Sequence, residues 1–381
     1  VSFPPTKWKR YRPRPWDITP KVNAYFNKLP NRPRCSKYLD ALRLTRKSFS
    51  LHRKVKPLHI NDSIKQFQHP DRSPGLPYTS MGYKRKDEVP PSIIKQYVHN
   101  LKYKIYHKCT TPCNAVAKSM VSPTDKFRLI WVYPSHMTFA EGMFAKPLIE
   151  AYKAKRSTYA CWLQFSRGDM RYLMSKRGSR STWLGVDWNA YDSRVPAWLI
   201  RDAFDILKDQ LDFNNYAYWG KPTDAATLPH LFKQIVRYFI DTPVKLPSGQ
   251  VLGSYQGIPS GSYFTNLIGS ICNEIVMHYL LTDTSYSKEH FWVLGDDCLV
   301  EFHNRVDLKV LATEARTTFG FILNLDKSEQ GKHISFLGYR MDPTGYPMAR
   351  FDKLIAQLLL PTVRDRTNDD FMSRGRALQL S

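Results

Sequence analysis

Phe291-Trp292-Val293-Leu294-Gly295-Asp296-Asp297-Cys298-Leu299-Val300 is the stretch that decides how this chain folds. Two apolar runs flank a turn of only three residues, so they are expected to pair as a hairpin with the carboxylates at its tip. Adjacent carboxylates repel unless a cation or a proton relieves them. Alone, the turn is weak evidence, because Asp-rich turns are also ordinary solvated structure. A third carboxylate gives it chemistry. Thr182–Val186 reads as a short buried strand ending at Asp187. A sheet that sets Asp187 beside Asp296 makes an oxygen-rich site suited to Mg2+ or Mn2+. Two such ions about 4 Å apart can activate an attacking hydroxyl and stabilise a leaving pyrophosphate.

Asp192 follows Asp187 by five residues, and Trp188–Tyr191 allow the chain to turn back over the same site. An Asp there can accept a hydrogen bond from a ribose 2′-hydroxyl. Its alternative role is to cap the helix whose first turn holds Pro196. Ile200, Ala203, Phe204, Leu207 and Leu211 mark one face of that helix, while residues 213–250 read as irregular. The loop Gly257–Ser262 contains Ser260 and Gly261, and glycine freedom at Gly261 is expected to bring backbone close to a ligand. It feeds a helix with Phe264, Leu267, Ile268, Ile271, Ile275, Val276 and Leu280 on its apolar side. Ser262, Asn266, Gly269 and Asn273 form a polar and small stripe on that helix, with Thr265 alongside, as a channel lining would. Strand, helix, loop, helix and hairpin in this order indicate an α+β sheet domain.

The charge points the same way. The chain carries +24, and residues 1–120 hold 26 Lys/Arg against 6 Asp/Glu, leaving only +4 for the remainder. A concentrated basic face attracts polyphosphate through counterion release, although a solvated or membrane-facing basic surface has the same composition. Residues 1–35 mix Pro, Arg, Lys, Trp and Tyr without period and read as an extended arm suited to single-stranded nucleic acid. The six cysteines show no zinc-type pairing, and a reducing compartment is expected. No apolar run approaches the roughly 18–20 residues of a membrane span. There is no signal-peptide pattern, and a chain opening on Val1 is expected to be a fragment or a processed product.

The order Asp187-x4-Asp192, then Gly257-Ile-Pro-Ser-Gly-Ser-Tyr-Phe-Thr265, then Gly295-Asp296-Asp297 resembles motifs A, B and C of viral RNA-dependent RNA polymerases. The wording around Asp192 and Pro259 is most similar to the partitiviruses, double-stranded RNA viruses, with picobirnaviruses as the near alternative. Ser73-Pro-Gly-Leu-Pro-Tyr78 looks like the template-side motif G, Lys126-Phe-Arg128 like motif F, and Phe336-Leu-Gly-Tyr339 like motif E. Lys327 is similar to the motif D lysine.

The resemblance implies a right-hand polymerase with an antiparallel palm sheet flanked by helices. Its parts would be an arm and fingers (1–180), palm (181–212), a fingers insertion (213–250), palm again (251–340) and an incomplete thumb (341–381). It implies two Mg2+ ions, with Mn2+ as substitute, on Asp187, Asp296 and Asp297, and Lys327 as general acid. Nucleotide contacts would come from Lys126, Arg128, Asp192, Ser260, Gly261, Thr265 and one Asn. Gly269 stands where the picornaviral pattern has that Asn, which there helps hold the counterpart of Asp192; Asn273, one further turn along the same face, is expected to replace it rather than Asn266. Ser73, Gly75, Pro77, Phe336 and Gly338 would meet template or primer. RNA, NTPs and capsid protein are the implied partners, inside the virion and in the host cytoplasm. A reverse transcriptase is the first rival, although Asp192 stands where those enzymes usually carry a bulky aromatic. A non-enzymatic RNA-packaging protein would explain the charge but not the acidic tip.

Overall fold

The computed structural model describes residues 7–341 and 346–379. Its centre is a four-stranded antiparallel sheet in the order Glu329–Gly331, Thr182–Val186, Asp297–Phe302, Tyr286–Leu294. Side chains alternate between two covered faces, which is why these strands read as continuous apolar runs. Trp183, Trp292 and Leu299 enter one core with Ile334, Phe336 and Met341. Leu184, Val186, Val293, Cys298 and Val300 enter the larger core on the other face.

That larger core is organised by the helix Thr265–Leu281, whose residues from Leu267 to Leu281 are all buried. The amphipathic expectation therefore fails for this helix. Of its polar stripe, Gly269 and Asn273 are buried against the Asp296 hairpin, and only Asn266, in the first turn, is exposed. The helix Ala197–Lys208 packs beside it, with Ile200, Ala203, Phe204 and Leu207 buried as the spacing predicts and Pro196 at its N-cap.

A second four-stranded sheet orders Phe127–Val132, Cys113–Ser119, Pro243–Lys245 and Val251–Gly253. It joins chain from before the palm to chain within the 213–250 interval. That interval is not irregular: Thr227–Ile240 is a helix burying Leu228, Leu231, Phe232, Ile235 and Phe239. Pro229 sits in its first turn, where a missing N–H costs nothing.

The N-terminal arm is also more ordered than expected. Pro15–Asn23 is helical, with Ile18 and Val22 buried. Tyr25 packs edge-on against Trp131 at 5.2 Å, and its hydroxyl donates to the Ile258 carbonyl at 3.2 Å. Upstream, Trp8 donates to Asp352 at 3.0 Å and Arg10 to the Leu360 carbonyl at 2.6 Å, tying the arm to the helix Phe351–Leu359. Among the described residues no helix is long and apolar enough to cross a membrane.

Candidate active site

The hairpin forms with Asp297 opposite Leu294, so Gly295 and Asp296 alone make the turn. Gly295 has φ +65°, a conformation that tight hairpin turns require and that glycine adopts without strain. The neighbouring strand pairs Val186 with Cys298, which carries Asp187 to the same end of the sheet as Asp296 and Asp297.

Asp187 is fixed through its backbone. Its N–H donates to Ser328 Oγ at 3.1 Å, and its carbonyl accepts from the Asn324 N–H at 2.9 Å. Lys327 is exposed on that same 324–328 turn, so the turn that buttresses the carboxylate also presents the cation. Beyond Asp187 the chain reverses at Ala190, whose φ of 51° and ψ of 43° are left-handed and costly for a residue with a Cβ. The reversal returns Asp192 to the site, where Ser260 Oγ donates to its Oδ2 at 2.7 Å. Asp192 therefore holds the Ser-Gly loop and does not serve as a helix cap. Its backbone carbonyl also accepts from the Ile258 N–H at 2.7 Å.

Electrostatics confirm the gathering. Loss of solvent raises the Asp296 carboxyl above its ordinary range and Asp187 adds to this, while Arg128 and Lys126 oppose it. Asp297 is pushed up to about 7 by burial and then by Asp296 and Asp187. Asp192 rises to about 6 by burial and the charge of Asp296, against the Ser260 hydrogen bond and Arg128. Four carboxylates thus share one end of the sheet, and two cations from the strand edge at Lys126 and Arg128 face them. Among the described residues, no three acidic, His or Cys side chains are close enough to hold an ion alone. The expected set Asp187, Asp296 and Asp297 is therefore looser than a closed cage. Mg2+ is ordinarily held by one or two carboxylates plus substrate phosphates and water, so an ion here would draw part of its shell from the substrate.

Four expectations need correcting. Gly261 does not have a left-handed backbone. A Cβ there would lie 1.8 Å from the Trp131 carbonyl oxygen, so glycine is required by close approach to the fingers strand; Gly257, at φ +82°, is the left-handed one. Asn273 does not reach Asp192. It is fully buried, accepts from Trp188 Nε1 at 3.0 Å and donates to the Gly295 carbonyl at 3.1 Å. Thr265 spends its hydroxyl on the Pro259 and Ser262 carbonyls, closing the helix start. Phe336 is a core side chain and Leu337 packs partly buried against the same core, so in the turn that follows, at φ 52° and 83°, only Gly338 is exposed.

In the loop Ser73–Tyr78, Ser73 and Pro77 are exposed and Gly75 is buried. A Cβ on Gly75, at φ +70°, would meet the Tyr133 carbonyl at 2.4 Å. The loop is pinned by Ser135, which donates from both N–H and Oγ to the Pro74 carbonyl, and by Lys86 donating to the Ser73 carbonyl at 2.8 Å.

Sequence reasoning missed Ser270 and Glu141, and weighed Asn266 only as the alternative to Asn273. Ser270 Oγ accepts from the Gly295 N–H at 2.7 Å, so Ser270 and Asn273 grip both sides of the turn. Glu141, fully buried, accepts from the Tyr263 N–H at 2.7 Å and Ser262 Oγ at 2.8 Å, and supports the Ser-Gly loop from below. Asn266 is exposed beside Gly295, its carbonyl oxygen taking the Tyr159 hydroxyl at 2.8 Å. Ser270 follows the stripe residue Asn266 by four and adjoins Gly269, so the stripe could have pointed to it; an isolated glutamate in an apolar helix had no such signal beyond its isolation.

Two sheets and a carboxylate-bearing palm hairpin faced by fingers cations give the chain the right-hand polymerase fold. The sequence pattern of the viral RNA-dependent RNA polymerases matches residues 36–359, and the chain belongs to that family. It is 26% identical over 281 residues to the RNA-directed RNA polymerase of Cryptosporidium parvum virus 1, covering 67% of this chain and 51% of that protein. With the Atkinsonella hypoxylon virus polymerase it shares 23% over 313 residues, covering 69% and 47%. The chain thus spans about half the length of these relatives, which are partitivirus-like. The fold matches the crystal structure of the RNA-dependent RNA polymerase of a human picobirnavirus with TM-score 0.73 at 13% identity, over 95% of this chain and 70% of that one.

Proposed function

We propose that this chain carries the catalytic centre for template-directed RNA synthesis from NTPs, serving a viral double-stranded RNA genome. The observation that carries it is the convergence of Asp187, Asp296 and Asp192 at one sheet end, with Ser260 on Asp192 and Arg128 opposite. Asp187 and Asp296 would hold divalent ions, Mg2+ with Mn2+ as substitute, and these would supply activation of the 3′-hydroxyl and neutralisation of the leaving pyrophosphate.

The chain's own residues do the rest. Arg128 and Lys126 attract and orient the triphosphate, and fixed charges of this kind account for most of the acceleration in phosphoryl transfer. Asp192, held by Ser260, offers a carboxylate to the ribose 2′-hydroxyl and selects NTPs over dNTPs. Lys327, exposed on the turn that braces Asp187, is the residue we assign as proton donor to the departing pyrophosphate. On this reading its work lies inside the virion and in the host cytoplasm, beside capsid protein.

Primer extension tests this reading. The chain should add NTPs to a primed RNA template only with Mg2+ or Mn2+ present, and should reject dNTPs. Preference for dNTPs, or RNA binding without incorporation, would overturn it.

A further inference from the structure

Away from the nucleotide site, a cavity of about 690 Å³ opens beside the edge strand of the palm sheet. Its walls come from the helix Ser36–Ser48, the segment 155–158, the helix Asp169–Ser175 and the outer half of the strand Tyr286–Leu294. Lys288 precedes the Gly295 turn by seven residues along that strand, roughly 23 Å at about 3.3 Å per residue. None of the residues assigned to nucleotide, template or primer lines the cavity.

Five cations surround it: Lys47, Lys155, Arg156, Lys176 and Lys288. Glu289 is the one carboxylate among its lining residues. Asp169 answers only Arg156, at 3.2 Å, and its other oxygen is taken by the Gln164 N–H at 2.8 Å. The ring of Tyr172 is shared by two of the cations, Arg156 at 4.3 Å and Lys176 at 4.7 Å from its centre. Lys47 and Lys288 are exposed, and neither ammonium makes a hydrogen bond or ion pair among the described residues. Deeper in, the imidazole of His290 lies parallel to the Trp292 ring, with centroids 6.0 Å apart.

Like charges on four separate elements around one opening repel. Asp169 answers Arg156, while the buried Glu274 and Glu301 are engaged by His278 and His290, so Lys47 and Lys288 are left without a carboxylate among the described residues. A polyanion relieves the repulsion and gains the release of its condensed counterions. A cavity of this volume exceeds what a single phosphate needs, and aromatic rings among cations match the alternation of base and phosphate in single-stranded nucleic acid. We infer that this cavity is a second RNA site, holding a short single-stranded segment by its backbone phosphates while the catalytic cleft is occupied. The choice of RNA as ligand rests on the polymerase reading; the cavity and its charge do not.

The test uses the chain assembled on a primed template, so that the cleft is filled, and adds a fluorescent U-rich octamer followed by anisotropy over a salt series. The expected result is one further octamer bound per complex. The double variant Lys47→Glu, Lys288→Glu should weaken that binding roughly ten-fold or more and lower the slope of log affinity against log salt by about 1.4, two phosphates at about 0.7 each. Primer extension by the variant should be unchanged, which also shows that it is folded; Tyr172→Leu, which removes the shared ring, should weaken the octamer as well. Unaltered octamer binding by both variants, with normal extension, overturns the second site while leaving the polymerase reading intact. Loss of extension by the unmodified chain would instead strike the polymerase reading. Tighter binding of a Glu-rich peptide than of the octamer, abolished by the double variant, would overturn RNA in favour of an acidic protein partner.

Discussion

Replacing Asn273 with Ala tests how the catalytic turn is held. The buried amide accepts from the Trp188 indole at 3.0 Å and donates to the Gly295 carbonyl at 3.1 Å, so one side chain joins the strand carrying Asp187 to the turn carrying Asp296. Truncation strands one donor and one acceptor in the core. Each unsatisfied buried group costs about 1–3 kcal/mol, so the variant should lose roughly 2–6 kcal/mol of stability, less whatever a water recovers. The second effect is on geometry. A turn free to shift by about 1 Å misaligns the reacting groups, and such misplacement costs about 100-fold in rate. Single-nucleotide incorporation by rapid quench should therefore show the maximal rate falling about 100-fold in Asn273→Ala, with the apparent NTP affinity within about two-fold of the parent. Asn273→Asp keeps the acceptor for Trp188 but sets a carboxylate against the Gly295 carbonyl, and it should fall at least as far. A folded Asn273→Ala variant within about three-fold of the parent rate would refute the clamp, and a selective loss of NTP affinity would restore Asn273 to nucleotide contact.

Three further outcomes follow from the site. Asp192→Ala removes a charged acceptor worth about 1.5–3 kcal/mol, so NTP-over-dNTP discrimination should fall roughly 10- to 100-fold in competition assays; unchanged discrimination would move ribose sensing elsewhere. Gly261→Ala drives a Cβ to 1.8 Å from the Trp131 carbonyl and should cut incorporation about 100-fold, whereas Gly331→Ala, with nothing within 4 Å, should leave it near normal; equal rates for the two would contradict the close approach. Burial lifts Glu141 to about 8, against the hydrogen bonds from Tyr263 and Ser262. Its folded value lies above the unfolded value of about 4.3, so the stability it contributes is complete below that pH and is lost as pH rises toward 8. The urea midpoint of Glu141→Gln relative to the parent should therefore climb between pH 5 and 9, and a flat or falling difference would contradict the assignment.

The palm was legible because each of its signals is local. Two apolar runs around Gly295-Asp296-Asp297 can only pair closely, and Asp187 ends a strand whose alternation fits both cores. What escaped depended on contacts distant in sequence. The stripe Asn266, Gly269, Asn273 was visible as a pattern, but whether it faced ligand or hairpin depended on the sheet position of residues 20 or more away. Gly261 looked like a flexible turn, since nothing nearby announces that Trp131 lies against it. The helix Thr227–Ile240 was obscured by Pro229, which breaks a helix in its interior yet suits its first turn. Phe336 carried a motif reading, and burial among Trp183, Ile334 and Met341 shows that its ring supports the sheet.

The central claim is that Asp296, beside Asp187, is the indispensable half of the acidic pair at the tip. The direct measurement is steady-state NMP incorporation on a primed RNA template by Asp187→Asn, Asp296→Asn and Asp297→Asn, with RNA affinity measured in parallel. Incorporation should vanish in the first two and persist at a reduced rate in the third, with RNA affinity within about two-fold throughout, since removing one acidic charge from a +24 chain changes long-range attraction little. Near-normal synthesis by Asp296→Asn would contradict the account.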